Sequence, residues 1–324
     1  MRILIVGAGA VGGVFGARLV QAGRDVTFLV RKLRADIIRQ NGLQIVGVNG
    51  DTILHPKLTL REEIDGPYDL VFVGVKGYGL AAAMDDFAAA IGPETTILPV
   101  LNGMQHLDLL QERFGKKAVI GGLVRVAGQV DDQGRIRQLA GFEQMRYGEL
   151  DGSTTERLRA IDASMQGASF DAMLSADIVQ DMWEKWVQLV ALGAVTCLFR
   201  GAVGAVENVP GGAALARAIL SECAEVATAC GYRPATDFLG QQSQALTEKG
   251  SPLTSSMFRD MTGGAPVEVD EIIGDLLRRA EAASVPTPLL RTVFVNLKVY
   301  QNQLERQASS HDQGRKGTGS CATR

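Results

Sequence analysis

The chain has 324 residues, a formal net charge of -3 at pH 7 and a pI near 5.7. This length exceeds that of a typical domain with a single hydrophobic core, so two domains are expected. The dispersed charges give no basic field for nucleic acid, and no apolar run has the length of a membrane-spanning helix. Because a core strand follows Met1 directly, without room for a signal peptide, the sequence predicts a cytoplasmic protein with neither nucleic-acid nor membrane partners.

The amino-terminal segment carries the most informative motif. Residues 3–6 are typical of a buried strand, and a small-residue helix pattern ends near residue 23. Between them lies a GxGxxG loop made of Gly7, Ala8, Gly9, Ala10, Val11 and Gly12. In this strand-to-helix context such a loop predicts a dinucleotide site, with the pyrophosphate at the helix amino terminus. The alternative, a structural glycine-rich turn, explains the helix less well.

The second strand pattern, residues 25–30, ends in a basic group. An NAD site usually has an acid at this point, which accepts hydrogen bonds from the ribose 2′-hydroxyl. This chain has Arg31, followed by Lys32 and Arg34. Because a guanidinium pairs well with a 2′-phosphate, Arg31 favours NADP over NAD. A solvated basic turn is the alternative.

The remainder of the first half alternates strand and helix patterns. Buried strands are predicted at residues 69–75 and 95–100, and β-like stretches between 118 and 147 predict antiparallel strands that extend the same sheet. We therefore predict an α/β Rossmann-type amino-terminal domain over residues 1–176.

The second half is almost entirely helical in pattern. An all-α carboxy-terminal domain is predicted for residues 177–305, with its last helix near residues 289–304. The tail, residues 306–324, contains almost no apolar residues and is predicted to be disordered.

Two polar positions follow predicted strands of the first domain. Lys76 comes after the strand that ends at Val75, and Asn102 after the strand that ends near Leu101. The carboxyl ends of parallel strands are where such sheets bind ligands. A solvated lysine cap and a simple Asn-Gly turn are equally good interpretations of these residues alone. His106 could line the same site, although a helix-start or surface histidine is favoured.

The helical domain offers three further candidates. Lys185 lies where an amphipathic pattern becomes almost wholly apolar, so its ammonium could polarise a carbonyl and deliver a proton, although a snorkelling lysine is the commoner finding. Ser256 and Glu268 place a hydroxyl and an acid near predicted helix starts, where capping alone would explain them. The four cysteines and three histidines show no metal-ligand spacing, so no metal site is predicted.

In combination these elements resemble the ketopantoate reductase (2-dehydropantoate 2-reductase) family over about residues 1–305. The matching motifs include the glycine loop, Asn102-Gly103-Met104, Trp183-Glu184-Lys185 and Ser255-Ser256-Met257. The resemblance implies NADPH-dependent reduction of a 2-oxo acid substrate, with ketopantoate as the leading candidate and pantothenate biosynthesis as the setting.

The resemblance also implies roles for individual residues. Lys185 would supply the proton, and Glu268 would orient Lys185 and a substrate hydroxyl. Ser256 would bind the substrate carboxylate. Lys76 and Asn102 would lie between the nicotinamide end of the cofactor and the substrate, and Arg31 would bind the 2′-phosphate.

One departure from the family pattern concerns substrate. The family usually has asparagines four and eight residues after the lysine, where this chain has Leu189 and Gly193. A more apolar pocket, and therefore a different 2-oxo acid, is an alternative.

A third hypothesis is a cofactor sensor without catalysis, against which the retention of Lys185 and Glu268 argues. The apolar helical domain could also supply a homodimer interface.

Overall fold

The computed structural model describes residues 1–317, with side chains described through Gln307. The chain divides after Met182 into two compact units. This division lies six residues beyond the predicted boundary at 176, because the first turn of a helix that begins at Ile178 packs on the first unit. Ile178 lies against Gly121 and Gly148, and Arg146 is 3.1 Å from the carboxylate of Asp181.

The first unit is built around a parallel sheet of five strands. Its central strands contain almost only buried aliphatic and aromatic side chains, as expected where both faces of a parallel sheet are covered. The strands are β1 (Arg2–Val6), β2 (Asp25–Leu29), β5 (Lys57–Thr59), β6 (Leu70–Val73) and β7 (Thr96–Pro99). Their order across the sheet is β5-β2-β1-β6-β7. The predicted parallel α/β architecture is confirmed.

The helix after β1 lies between two sheets. This helix, α1 (Ala10–Gln21), packs Gly16 against Phe28 of the first sheet and Gly13 against Ile136 of a second sheet. The other helices of the unit are α2 (Lys32–Asn41), α3 (Leu80–Phe87), α4 (Gln105–Phe114) and α5 (Glu156–Met165).

The second sheet corrects one prediction. The stretch between 118 and 147 does form two antiparallel strands, but they do not extend the first sheet. They pair with each other and, together with three other strands, form a separate layer over α1. Its strands are β3 (Leu43–Gly47), β4 (Thr52–Leu54), β8 (Gly121–Val130), β9 (Ile136–Gly148) and β10 (Asp171–Leu174). A buried ion pair between Arg18 of α1 and Glu143 of β9 joins the layer to the helix.

The second unit is helical, as predicted. It contains most of α6 (Ile178–Phe199), then α7 (Val203–Glu207), α8 (Gly212–Ala229), α9 (Thr236–Leu246), α10 (Ser256–Thr262), a π-helical segment (Asp270–Gly274), α11 (Asp275–Ala282) and α12 (Pro288–Gly317). Glu222 of α8 accepts hydrogen bonds from the amides of Leu289 and Leu290, so a buried carboxylate binds the unsatisfied amides at the start of α12.

The last helix is longer than predicted. It continues to Gly317, beyond the expected end near residue 304, and residues 318–324 of the predicted disordered tail lie outside the described residues. No helix in residues 1–317 is long and apolar enough to cross a membrane.

Candidate active site

The glycine loop after β1 has the form that a dinucleotide requires. Gly7 has a φ of +92°, and its amide donates to the carbonyl of Leu29 at 3.1 Å. Gly9 is the N-cap of α1, and a Cβ built there meets no described atom within 4 Å. A Cβ on Gly12 would overlap the carbonyl oxygen of Gly7. The loop is therefore closely packed at Gly12 and open at Gly9. It fits a pyrophosphate that approaches the amides of the first turn of α1.

The three basic residues after β2 have different surroundings. Arg34 is half-buried, and its guanidinium donates to the carbonyl of Ala8 at 2.8 and 3.1 Å and to that of Gly134 at 2.5 Å. Burial lowers the pKa of this guanidinium. Arg34 thus fixes the glycine loop, while Arg31 and Lys32 are exposed at the start of α2.

A second arginine lies near Arg31. The Arg31 guanidinium is 3.8 Å from one carboxylate oxygen of Asp86, and that of Arg61 is 3.8 Å from the other. Arg61 follows β5, which pairs in parallel with β2, so the two arginines follow neighbouring strands at the same sheet edge. Arg61 was not predicted from the sequence as a site residue, because a three-residue strand gives no periodic signal.

Lys76 and Asn102 also lie beyond the carboxyl ends of strands in this sheet. Lys76 is exposed and is the N-cap of a short 3₁₀ helix, Gly77–Gly79, after β6. Asn102 is half-buried between β7 and α4. Because β6 and β7 are adjacent and parallel, these residues share an edge with the glycine loop. His106 is at the start of α4, as favoured, but it is buried rather than at the surface.

In the second unit, Lys185 is buried on α6, with 8% of its surface exposed. The tryptophans on either side hold this helix: Trp183 and Trp186 have ring centroids 4.8 Å apart, and Trp183 stacks on Tyr232 at 5.3 Å. The Glu184 carboxylate accepts a hydrogen bond from the amide of Ala235, the N-cap residue of α9. The motif around Lys185 is thus fixed by packing on several sides.

Glu268 is buried two residues before the start of the π-helical segment. The Trp186 indole nitrogen donates to the carbonyl of Ile272 at 2.9 Å, and the Ile272 amide donates to the carbonyl of Glu268 at 3.1 Å. These two bonds join the residue after Lys185 to the backbone of Glu268. Burial, with the neighbouring Glu268 and Asp270 carboxylates, raises the pKa of Glu271 in this segment.

Ser256 is the first residue of α10 and is exposed. The buried Ser255 is the N-cap, whose hydroxyl accepts a hydrogen bond from the amide of Phe258. The same hydroxyl lies 2.9 Å from that of Thr196 on α6. The capping interpretation therefore belongs to Ser255, which leaves the Ser256 hydroxyl available for another role.

The candidate residues form one set in each unit. At one edge of the first sheet lie the glycine loop, Arg31, Lys76 and Asn102. In the second unit, two hydrogen-bonded connections relate the elements that carry Lys185, Glu268 and Ser256. One passes through Trp186 and the other through Thr196. Neither residue was predicted from the sequence to have such a role, because hydrogen bonds between distant segments leave no local pattern.

Two family models match the chain. The model described as ketopantoate reductase PanE/ApbA matches residues 3–152, and its carboxy-terminal counterpart matches residues 177–301. The chain belongs to the ketopantoate reductase family. The predicted resemblance is thus confirmed over both units.

Individual relatives agree with this assignment. The uncharacterized oxidoreductase YkpB of Bacillus subtilis is 34% identical over 302 residues, which cover 93% of this chain and 99% of that protein. A 2-dehydropantoate 2-reductase of Mesorhizobium japonicum is 26% identical, with 91% and 96% covered. The crystal structure of a 2-dehydropantoate 2-reductase from Geobacter metallireducens has a TM-score of 0.84 and 28% identity, covering 92% of this chain and 99% of that one.

Membership establishes the general chemistry. The chain is an oxidoreductase of the 2-oxo acid reductase type that uses a nicotinamide cofactor. An enzyme is thus favoured over a sensor. Among the described residues, no group of three or more histidines, cysteines, aspartates or glutamates has the arrangement of a metal site.

Proposed function

We propose that this protein reduces a 2-oxo acid with NADPH, and that ketopantoate is the first candidate substrate, which would set the reaction in pantothenate biosynthesis. The observation that carries the proposal is the buried Lys185, whose helix is hydrogen-bonded through Trp186 to the segment that follows the buried Glu268. An ammonium and a carboxylate held on rigid, connected elements are suited to acid catalysis and to substrate positioning.

In this proposal Lys185 is the proton donor. When bound, a reduced nicotinamide cofactor supplies the hydride for the keto carbon. Negative charge then develops on the keto oxygen, and the Lys185 ammonium stabilises that charge and gives it a proton. Because the hydrogen bond from Trp186 ties α6 to the π-helical segment, the ammonium needs little reorganisation. Glu268 orients Lys185 and accepts a hydrogen bond from a substrate hydroxyl.

The remaining residues of the proposed site bind and orient the substrate and the cofactor. Ser256 binds the substrate carboxylate through its hydroxyl. Lys76 and Asn102 contact the reactive end of the cofactor and the substrate, since both follow strands at the edge where the glycine loop lies. This edge is the ordinary ligand position of a parallel sheet.

The cofactor preference follows from charge at the end of β2. Arg31 is exposed there, with Arg61 on the neighbouring strand end. A dianionic 2′-phosphate would be attracted by both guanidiniums and would displace their weak pairing with Asp86. This favours NADPH over NADH.

A second candidate is the reduction of a different, more apolar 2-oxo acid by the same mechanism. The observation that favours it is the pair Leu189 and Gly193 on α6, which offer no side-chain hydrogen bond to a hydroxylated substrate. An enzyme discriminates in favour of a hydroxylated substrate only when its site forms hydrogen bonds to the hydroxyl.

Steady-state oxidation of NADPH at 340 nm, with ketopantoate and a panel of other 2-oxo acids, tests both candidates. A preference for ketopantoate in kcat/KM would support the first, and turnover of other acids alone would support the second. Tight NADPH binding without turnover of any 2-oxo acid would contradict both and favour the sensor. A homodimer also stays a prediction, which the molecular mass in solution tests.

A further inference from the structure

Gly193 is a helix-interior glycine that the packing does not require. In two other helices of the chain, glycine avoids a clash: a Cβ on Gly204 would overlap the backbone at Gly250, and one on Gly212 would overlap that of Val206. A Cβ on Gly193 meets no neighbouring side chain or packed backbone of the described residues within 4 Å. Its φ is not positive either. Neither crowding nor backbone conformation accounts for it.

The missing side chain makes the helix less stable. Glycine in a helix interior is about 1 kcal/mol less favourable than alanine, because it loses more backbone entropy on folding. At the exposed Gly240 of α9, which also has open space, a side chain would reach solvent. Gly193 is instead buried, and none of the described packing partners fills the space beside it. A buried glycine with unfilled space beside it is a position where a group of a ligand can bind.

The position of Gly193 relates this room to the proposed site. Residues four and eight positions after Lys185 share a face of α6 with it, so Lys185, Leu189 and Gly193 form one stripe. Thr196 continues the stripe, and its hydroxyl lies 2.9 Å from that of Ser255, next to Ser256. The stripe therefore runs from the proposed proton donor toward the residue proposed to bind the substrate carboxylate.

The chemistry of the stripe selects a kind of ligand. Between Lys185 and Thr196 it presents the half-buried aliphatic side chain of Leu189 and then the open space at Gly193. The helix rise places Gly193 about 12 Å along the axis from Lys185, and Leu189 about 6 Å. A short side chain on a keto carbon near Lys185 would leave the space at Gly193 empty, whereas a bulkier one would extend toward it.

We propose that Gly193 determines specificity by making room in the substrate pocket, and that the preferred substrates are 2-oxo acids with a bulky apolar side chain, branched or aromatic. This inference rests on the second candidate of the proposed function, the reduction of a more apolar 2-oxo acid, and it assumes that Lys185 and Ser256 contact the substrate. It goes beyond that proposal by naming the substrate class and a residue that selects it.

The test compares three acids and three variants. Wild-type protein, Gly193→Ala, Gly193→Val and the matched control Gly240→Ala are assayed with phenylpyruvate, ketopantoate and 2-oxobutanoate as substrates for NADPH oxidation. Gly240→Ala gives the same gain in helix propensity at an exposed site. Thermal midpoints and NADPH affinities of all four proteins report folding and the integrity of the first unit.

The Gly193 variants are expected to affect large and small substrates differently. Wild-type protein has its highest kcat/KM with phenylpyruvate. Gly193→Val lowers this value at least ~10-fold, as a methylene-scale change in an apolar pocket does, and Gly193→Ala lowers it less. The value for 2-oxobutanoate changes by less than ~3-fold in both variants, and Gly240→Ala matches wild type for all three acids.

Other outcomes overturn the inference in distinguishable ways. A wild-type preference for ketopantoate over phenylpyruvate, or an equal loss for large and small acids in Gly193→Val, would overturn the role of Gly193 and leave the proposed reductase standing. Unchanged kcat/KM values in a folded Gly193→Val protein would do the same. No turnover with any 2-oxo acid would overturn the proposed function and this inference together.

Discussion

The indole of Trp186 donates a hydrogen bond of 2.9 Å to the carbonyl of Ile272. Trp186 follows the buried Lys185 in the chain, and Ile272 belongs to the π-helical segment that begins two residues after the buried Glu268. In π-helical turns, amides pair with carbonyls one residue further back than in an α-helix, and such turns are frequent at functional sites. The bond therefore connects the two elements that carry Lys185 and Glu268, the residues of the proposed chemistry.

Replacing Trp186 with phenylalanine should uncouple these elements. The variant keeps an aromatic ring but leaves the buried Ile272 carbonyl without its donor, at a cost of about 1–3 kcal/mol. We expect kcat to fall while the affinity for NADPH is unchanged, because the cofactor loop belongs to the other unit. Stopped-flow and fluorescence titration measure the two quantities.

The matched control is Trp183→Phe, which removes a similar ring area from the stack with Tyr232 without touching the Ile272 bond. It should lower stability and keep kcat. If both variants lower kcat equally, Trp186 has only a packing role.

Cofactor preference should depend on two arginines. Arg31→Ala should weaken NADPH binding by about 10–100-fold, the value of one charge-assisted hydrogen bond, with little change for NADH. Arg61→Ala should show the same selectivity with a smaller loss. Dissociation constants for both cofactors measure this, with Arg39→Ala at the exposed end of α2 as a control. Equal losses for NADPH and NADH would contradict the phosphate assignment.

The buried pair of Arg18 and Glu143 should make stability depend on pH. Burial opposes ionisation of Glu143, but hydrogen bonds from Arg18, Gln138 and Asn49 outweigh it and lower the pKa of the carboxyl. A depressed pKa stabilises the fold above the unfolded value, about 4.3, and this contribution is lost as the pH falls through the folded value. Acid destabilisation should therefore begin below about pH 5.

Glu143→Gln should flatten this acid limb and lower stability at pH 7, because the buried Arg18 charge loses its partner, a loss that costs about 3–5 kcal/mol in such pairs. Urea midpoints between pH 7 and pH 3 measure both effects. The exposed Glu94→Gln variant should keep the wild-type profile. An acid limb of wild-type steepness in Glu143→Gln would show that other groups control it.

Local patterns predicted much of this molecule. The strand, the glycine loop and helix α1 are adjacent in the chain, and the parallel strands that precede Lys76 and Asn102 are short buried apolar runs. Their shared position at one sheet edge follows from parallel pairing alone. The helical second unit follows equally from its apolar periodicity.

Long-range pairing set the limit of prediction. Strand β3 pairs Ile45 with Ile136 of β9, and no local pattern specifies a partner so distant in sequence, so the second sheet was missed. The packing of Arg61 near Arg31 depends on β5, which has three residues. The π-helical segment shares the apolar spacing of an ordinary helix start, so only the observed hydrogen bonds reveal it.

The catalytic role of Lys185 is the central claim, and the kcat of Lys185→Ala with NADPH and the best 2-oxo acid of the panel tests it most directly. Exposed Lys249→Ala serves as the control. We predict a fall in kcat of at least ~100-fold, the low end for a positioned general acid, with unchanged NADPH affinity and a wild-type rate for the control. A folded Lys185→Ala protein with near-normal kcat would contradict the account.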